Sequence, residues 1–242
     1  MSVFQTSGDA ASQSGALQGG AATHTGHLVL LRHGETAWSV SGQYTGRTNI
    51  PLTGTGERQA VEAGARIRQA YPEGFGARVF CSPLGRAKQT AEYAGFADVR
   101  VCPGVVEWDY GRAEGRTRGQ LSSAVGHEWN LWHDGTEILG PDLDGERVET
   151  LPSGQQVSVR NAPGETIGQV AARAAEVARQ MLPMVLEGQD VLLVAHAHIL
   201  RILTTQWLGL DPHMAKMLRL DTAHYSSLGV YKGDRVIEHW NL

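Results

Sequence analysis

The sequence lacks three features that would point to particular classes of protein. Only two cysteines are present, Cys81 and Cys102, and their spacing matches neither a metal site nor a Cys-x-x-Cys motif. No apolar run approaches the roughly 18 residues that a membrane span requires. The formal net charge is −4, so a broadly basic nucleic-acid surface is not indicated. We therefore expect a cytoplasmic protein with reduced cysteines that binds neither nucleic acid nor membranes.

The N-terminal segment differs in composition from the rest of the chain. Residues 1–26 are rich in Gly, Ser, Ala and Gln, and Asp9 is their one charged residue. Such a segment cannot bury enough apolar area to offset the entropy lost on ordering, and it lacks the pattern of a signal peptide. We predict a flexible tail over 1–26 and a single domain over 27–242.

Short apolar runs alternate with segments of helical periodicity within this domain. Strands are predicted over 27–33, 78–81 and 191–196, with a further short strand within 99–106. Helices are predicted over 57–71, 84–94, 165–186, 199–208 and 213–220, and a C-terminal hairpin over 226–240. Alternation of this kind is typical of α/β proteins, in which helices cover both faces of the sheet. We expect a three-layer α/β/α sandwich with a mainly parallel open sheet.

Residues 134–163 do not fit the alternation. They are punctuated by Gly and Pro and carry six acidic and two basic side chains. A structureless segment of this length is uncommon in a compact domain and is usually functional or mobile. Two interpretations stay open: an inserted loop over the substrate side, or a disordered surface excursion.

Five polar residues lie at or just beyond the ends of predicted strands. Arg32 and His33 end the first strand, Arg86 follows the second, Glu107 follows the third, and His196 ends the fourth. In open α/β sheets, ligands bind outside the carboxyl ends of the strands. We therefore expect these five side chains to converge on one site.

These side chains have the chemistry that phosphoryl transfer needs. Arg32 and Arg86 can clamp phosphate oxygens, and His196 can add a donor. A neutral His33 can attack phosphorus, while Glu107 can protonate the leaving oxygen and later activate water. This chemistry requires no metal and no cofactor. His196-x-His198 lacks the carboxylates of a metal site. His198 is expected to point away from His196 and to pack structurally.

Three motifs in the sequence resemble those of the histidine phosphatase superfamily, also called the phosphoglycerate mutase-like family. They are Leu31-Arg32-His33-Gly34-Glu35-Thr36, the loop over 44–53, and the segment over 82–91, with Glu107 and His196 matching the proton donor and the second histidine. The resemblance implies a phosphoglycerate mutase-like fold and a phosphate pocket formed by the two arginines and two histidines. It also implies a phosphohistidine intermediate at His33.

The resemblance also assigns roles to residues around the phosphate. It implies that Thr45, Gly46 and Tyr110 border the substrate. Arg118 is either a cation for a second acidic group or an exposed surface charge. Ser39 stands where the family usually has Asn, which weakens one phosphate contact. Ala197 stands where the family usually has Gly, and a positive φ there would cost about 1 kcal/mol.

Residues 107–111 and 114–117 resemble the phosphatase branch of the family. The leading hypothesis is a metal-independent phosphatase that acts on a small phosphorylated metabolite, such as a sugar phosphate. One alternative is a 2,3-bisphosphoglycerate-dependent phosphoglycerate mutase, and another is a non-catalytic phospholigand-binding protein. No oligomeric state is predicted.

Overall fold

The computed structural model describes residues 25–242. Its strands are β1 (Leu28–Arg32), β2 (Val79–Cys81), β3 (Arg100–Val101), β4 (Gly145–Thr150), β5 (Gln156–Asn161), β6 (Val191–Ala195), β7 (Tyr225–Tyr231) and β8 (Asp234–His239). Its α-helices are α1 (Ala37–Ser41), α2 (Gly54–Ala70), α3 (Gly85–Tyr93), α4 (Arg118–Val125), α5 (Leu131–Asp134), α6 (Ile167–Leu186) and α7 (Ala197–Leu208). Short 3₁₀ helices cover Pro103–Val105, Gly111–Ala113, Pro141–Leu143 and Pro212–Met217.

Six strands form the central sheet in the order β3-β2-β6-β1-β7-β8. The first four are parallel to one another, β7 is antiparallel to β1, and β8 is antiparallel to β7. The two central strands, β1 and β6, are apolar almost throughout because both of their faces are covered. The predicted mainly parallel α/β sheet is confirmed.

Alternate residues of β1 point into two separate layers of the core. Leu28 and Leu30 pack in the cluster that contains the apolar sides of α6 and α7. Val29 and Leu31 pack in the cluster that contains residues of α2 and α3. Helices therefore cover both faces of the sheet, as the three-layer prediction requires.

The short strand predicted within 99–106 is confirmed, and one predicted helix is tighter than expected. The third strand ends at Val101, because the chain turns into a 3₁₀ helix at Pro103, whose ring removes a backbone donor from the ladder. The helix predicted over 213–220 is instead the 3₁₀ helix Pro212–Met217. This difference does not move the strand ends that carry the site.

Residues 134–163 are not structureless, because they contain two strands. Strands β4 and β5 form an antiparallel hairpin with its own two-stranded sheet. Val157 and Val159 on β5 alternate with exposed residues, and with Leu151 they pack against Trp38 and Ile50. A disordered excursion is therefore excluded, and the segment is a hairpin anchored next to α1.

The predicted tail lies outside the described residues up to position 24. Thr25 and Gly26 belong to the domain, because the Thr25 hydroxyl donates to the Val230 carbonyl (3.1 Å) and the Gly26 N–H donates to the Val185 carbonyl (2.8 Å). Over residues 25–242, no helix combines the length and the apolar character needed to cross a membrane. Cys81 and Cys102 are both buried and free, and burial raises the pKa of Cys81 to about 12.

Candidate active site

The end of β1 places His33 beside β6, where its N–H donates to the Ala195 carbonyl (2.9 Å). Its ring Nδ1 lies 2.7 Å from the Gly34 carbonyl oxygen, which can only accept, so Nδ1 carries the proton and Nε2 the lone pair. Burial and the neighbouring Arg86 and Arg32 hold the pKa of His33 well below its usual range. The ring is therefore neutral, as a nucleophile must be.

Arg86 lies in the first turn of α3 and is completely buried. Its guanidinium donates to the backbone carbonyls of Thr45 (3.0 Å), Gly46 (2.9 Å) and Thr48 (3.1 Å). Burial lowers the pKa of Arg86 to about 10, so the side chain stays charged at neutral pH. The site thus contains a fixed buried cation next to His33.

His196 follows β6 and lies behind His33, with the two ring centroids 5.2 Å apart. Its Nδ1 accepts from Nε of Arg86 (3.1 Å), so its proton is on Nε2, which donates to the Ser82 hydroxyl (2.7 Å). Burial and Arg86 hold the pKa of His196 well below its usual range. In this arrangement, His196 orients Arg86 and both of its ring nitrogens are paired, so it does not offer phosphate the donor that the sequence predicted.

Arg32 supplies the donor that is open to a ligand. Its Nη1 donates to the Leu220 carbonyl (2.6 Å), and its buried Nε has no hydrogen-bond partner among residues 25–242. An unpaired buried donor is costly unless a ligand pairs with it. Since Arg32 also lines the cavity described below, it is placed to receive an anion.

Glu107 lies at the N-terminus of α7, 3% exposed. One carboxylate oxygen accepts from the backbone N–H groups of Trp108 and Ile199 (both 2.9 Å). The other oxygen accepts from the N–H of His198 (3.1 Å). These donors fix the orientation of a carboxyl group that borders the same cavity as His33.

A cavity of about 260 Å³ opens over these groups. Of the residues predicted for the site, those that line it are Arg32, His33, Ser39, Thr45, Glu107, Tyr110 and Ala197. Arg86 and His196 lie beneath the cavity. Arg86 contacts the cavity wall by donating to the Thr45 carbonyl, and His196 contacts Arg86. The five predicted catalytic residues are thus brought together at the carboxyl edge of the sheet.

Four predicted substrate contacts differ in detail from expectation. The Ser39 hydroxyl is engaged in the capping box of α1, where it accepts from the Thr36 N–H and donates to the Thr36 carbonyl (both 2.9 Å). Ala197 begins α7 and does not have a positive φ, so the expected strain is absent.

Gly46 does not line the cavity and instead contacts Arg86. Arg118 points to Glu128 (2.7 Å) and the Trp129 carbonyl (2.8 Å), as a surface charge would.

His198 packs structurally as predicted, with its ring against Trp108, Tyr110 and Trp132, and it also borders the cavity. Its Nδ1 lies 2.6 Å from the Tyr110 hydroxyl, and burial together with Arg201 holds its pKa well below the usual range. The available signal was its position in the first turn of α7, whose N-terminus faces the site. Trp38, Gln43 and Tyr44, which the sequence analysis did not assign, also line the cavity.

No group of three or more His, Cys, Asp or Glu side chains within residues 25–242 is arranged to hold a metal ion. The groups that face the cavity are instead an arginine, two neutral imidazoles, one carboxyl group and aromatic rings. Such a set can bind and transfer a phosphoryl group through charge and hydrogen bonds.

Comparison with known proteins identifies the class. A family model for the histidine phosphatase superfamily (branch 1) matches residues 28–153 and 152–242, so the chain belongs to this superfamily. It is an enzyme of the phosphatase type, a phosphoric monoester hydrolase.

An acid phosphatase of Mycobacterium tuberculosis is 33% identical over 208 residues, which cover 86% of this chain and 88% of the relative. A solved structure of an open reading frame product from the same species has a TM-score of 0.73 and 32% identity, covering 90% of this chain and 97% of the other. A 2,3-bisphosphoglycerate-dependent phosphoglycerate mutase of Corynebacterium kroppenstedtii is 30% identical over 190 residues, 74% of this chain and 75% of the relative. The family resemblance inferred from the motifs is confirmed.

Proposed function

We propose that the protein hydrolyses small phosphate monoesters without a metal ion, through a phosphohistidine at His33. The observation that carries the proposal is the contact between His33 Nδ1 and the Gly34 carbonyl, which leaves the Nε2 lone pair free for attack. The neutral state of the ring and its place on the cavity wall support the same role.

In the first step, the phosphate of the ester binds with its oxygens near Arg32 and Arg86. Nε2 of His33 forms a bond to phosphorus as the bond between phosphorus and the leaving oxygen breaks. Glu107, in its protonated form, gives its proton to that oxygen, so the alcohol departs neutral. The two guanidinium groups stabilise the charge that spreads over the non-bridging oxygens.

In the second step, water attacks the phosphorus of phosphohistidine from the side that the alcohol has vacated. The Glu107 carboxylate accepts the proton of the water, the bond between phosphorus and Nε2 breaks, and inorganic phosphate leaves. His33 returns to the neutral ring with its proton still on Nδ1. Atoms and charge balance over the two steps with no co-reactant other than water.

The substrate we propose is a small phosphorylated metabolite such as a sugar phosphate. The cavity is about 260 Å³, and its lining includes Trp38, Gln43, Tyr44 and His198, which can contact a hydroxylated leaving group without adding charge. The acid phosphatase relative supports hydrolysis of phosphate esters. A cytoplasmic location stays a prediction from the reduced cysteines.

The mutase relative makes isomer exchange the competing activity. A mutase substrate carries a second acidic group, and the candidate cation, Arg118, is instead paired with Glu128 outside the cavity. This placement favours hydrolysis. The discriminating experiment mixes the enzyme with 3-phosphoglycerate and 2,3-bisphosphoglycerate, and also with a panel of sugar phosphates, nucleotides and phosphoglycerates.

We expect phosphate release from the panel to exceed isomer exchange, to be unaffected by a chelator, and to be lost in His33→Ala. Isomer exchange faster than phosphate release would contradict the phosphatase assignment. Equal, negligible turnover by wild type and His33→Ala across the panel would favour a protein that binds phospholigands without catalysis.

A further inference from the structure

Glu114 is a buried carboxylate outside the set of reacting groups, 2% exposed. Its oxygens accept the backbone N–H of Gly46 (3.0 and 2.9 Å), the N–H of Thr48 (2.9 Å) and the N–H of Arg47 (3.3 Å). Three successive N–H groups thus surround one carboxylate, as in an anion-binding nest. Glu114 belongs to residues 114–117, the second segment that resembles the phosphatase branch. The proposed chemistry gives this segment no role.

The other side of the same loop faces Arg86. The carbonyl groups of Thr45, Gly46 and Thr48 accept from its guanidinium at 2.9–3.1 Å. The loop therefore lies between an anion and a cation, with its N–H groups towards Glu114 and its carbonyl groups towards Arg86. Charges at both ends polarise the peptide groups in the same sense, which strengthens both sets of hydrogen bonds.

We propose that Glu114 is a positioning residue that holds Arg86 in the phosphate site by fixing the backbone of residues 45–48. The proposal rests on the function proposed above, since it assigns Arg86 to the phosphate. Glu114 acts through the loop and not on the substrate, because it does not line the cavity.

The Arg86 guanidinium is oriented without a direct ion pair. Among residues 25–242, no carboxylate lies within 4 Å of the Arg86 guanidinium, which is held by carbonyl oxygens and His196 alone. A paired carboxylate would offset the charge that has to act on phosphate. Glu114 orients the guanidinium from a distance, so no contacting carboxylate offsets its positive charge beneath the phosphate site.

Gly46 makes this close approach sterically feasible. A Cβ atom at this position would lie 2.5 Å from Oε2 of Glu114 and 2.7 Å from the Trp108 carbonyl oxygen. The backbone φ of Gly46 is not positive, so the requirement is for space and not for a left-handed conformation. Gly46 therefore leaves the space that Glu114 needs to reach the backbone of the loop.

The charges around Arg86 predict a distinctive pH effect. Glu107, Glu114 and Tyr110 raise the pKa of Arg86 and Arg32 lowers it, while the neutral His196 contacts Nε. With burial included, the pKa of Arg86 is about 10. Removing the charge of Glu114 lowers it further, so the alkaline fall in kcat/KM moves to lower pH.

The test compares Glu114→Gln with Asn161→Ala by measuring binding of inorganic phosphate calorimetrically, which does not depend on turnover. Asn161 is a matched control, because its amide donates to the carbonyls of Gly111 and Glu114 and so supports the same turn from the other side. We expect Glu114→Gln to weaken phosphate binding about tenfold and to shift the alkaline limb. Asn161→Ala should lower stability with phosphate affinity unchanged.

A second comparison keeps the proposal testable if Glu114→Gln does not fold. Thr48→Val removes the hydroxyl that favours the charged form of Glu114 by lowering its pKa, and should weaken phosphate binding about threefold. When Arg86 is already replaced by Lys, Glu114→Gln or Thr48→Val should cause no further loss of phosphate affinity, since both residues act through Arg86.

Wild-type phosphate affinity in both Glu114→Gln and Thr48→Val would overturn the proposal, as would an equal loss in Asn161→Ala. Failure of the proposed function has a different signature. In that case, His33→Ala would keep its activity or the wild type would release no phosphate from any ester, whatever the phosphate affinities of the Glu114 variants.

Discussion

His33 and Gly34 are joined by a hydrogen bond of 2.7 Å from the ring Nδ1 of the first to the carbonyl oxygen of the second. Gly34 is itself held, because its N–H donates to the Thr90 hydroxyl (3.0 Å), and that hydroxyl donates to the Arg86 carbonyl (2.7 Å). The helix that carries Arg86 therefore also orients the His33 ring. The proposed nucleophile and the buried cation are parts of one hydrogen-bonded unit.

Glu107→Gln tests the proton donor. An amide cannot protonate the leaving oxygen, but it keeps the shape and one acceptor oxygen of the carboxyl group. We expect kcat for an alkyl phosphate to fall by 10²–10⁴-fold and kcat for p-nitrophenyl phosphate, whose leaving group needs no proton, to fall far less. Equal losses with both substrates would contradict the acid role of Glu107.

The lowered pKa of His33 predicts activity at mildly acidic pH. The nucleophile is the neutral ring, and burial with two nearby arginines delays its protonation to well below the ordinary value of about 6.5. After correction for ionisation of the substrate, kcat/KM should therefore stay level from pH 7 down through 6.5. A fall centred near pH 6.5 would show that His33 titrates like an exposed histidine.

Three buried histidines should make stability fall on acidification. The pKa values of His33, His196 and His198 are all lowered in the folded protein, so below about pH 6.5 the unfolded chain binds protons that the folded chain does not. For each histidine, the free energy of unfolding falls by about 1.4 kcal/mol per pH unit on acidification. This full slope applies only between its folded and unfolded pKa values.

Urea unfolding of His198→Gln at pH 6.5 and 5.5 measures one of these contributions. Between these two pH values, the variant should lose about 1 kcal/mol less stability than the wild type. His239→Gln, on the exposed strand β8, is the control for removing a histidine and should keep the wild-type slope. Parallel slopes for wild type and His198→Gln would contradict a neutral buried His198.

The hairpin of β4 and β5 should influence the substrate through Trp38. Val159 packs with Trp38, which lines the cavity, whereas Val148 on the same hairpin is 63% exposed. We expect Val159→Ala to lower the unfolding free energy by about 2 kcal/mol and to raise KM, and Val148→Ala to change stability by less than about 0.5 kcal/mol. Unchanged KM in a folded Val159→Ala would separate the hairpin from substrate binding.

The sequence predicted the positions of the proposed reacting groups because their placement depends on strand ends. Adjacent parallel strands pair Arg32 with Ala195, so the residues that follow, His33 and His196, necessarily meet at one edge. This convergence needs no knowledge of side-chain packing. Motif resemblance then indicated which reaction the group performs.

Long-range packing explains most of what the sequence did not predict. The alternation of Val157 and Val159 is weak, and the hairpin gains its apolar partners Trp38 and Ile50 from more than 100 residues earlier. His198 likewise faces the cavity because it meets Tyr110, 88 residues away. Local periodicity contains no information about such partners, so these side chains could be placed only with the fold in hand.

The most direct test of the central claim is to label the enzyme with the phosphate of its substrate. Wild type is mixed with a ³²P-labelled ester, quenched in base within milliseconds, and digested to map the label, while His33→Ala, checked for retained phosphate binding, is treated identically. We expect an acid-labile label on His33 alone and none in the variant. A label on another residue, an equal label in His33→Ala, or rapid turnover with no labelled enzyme at any quench time would contradict it.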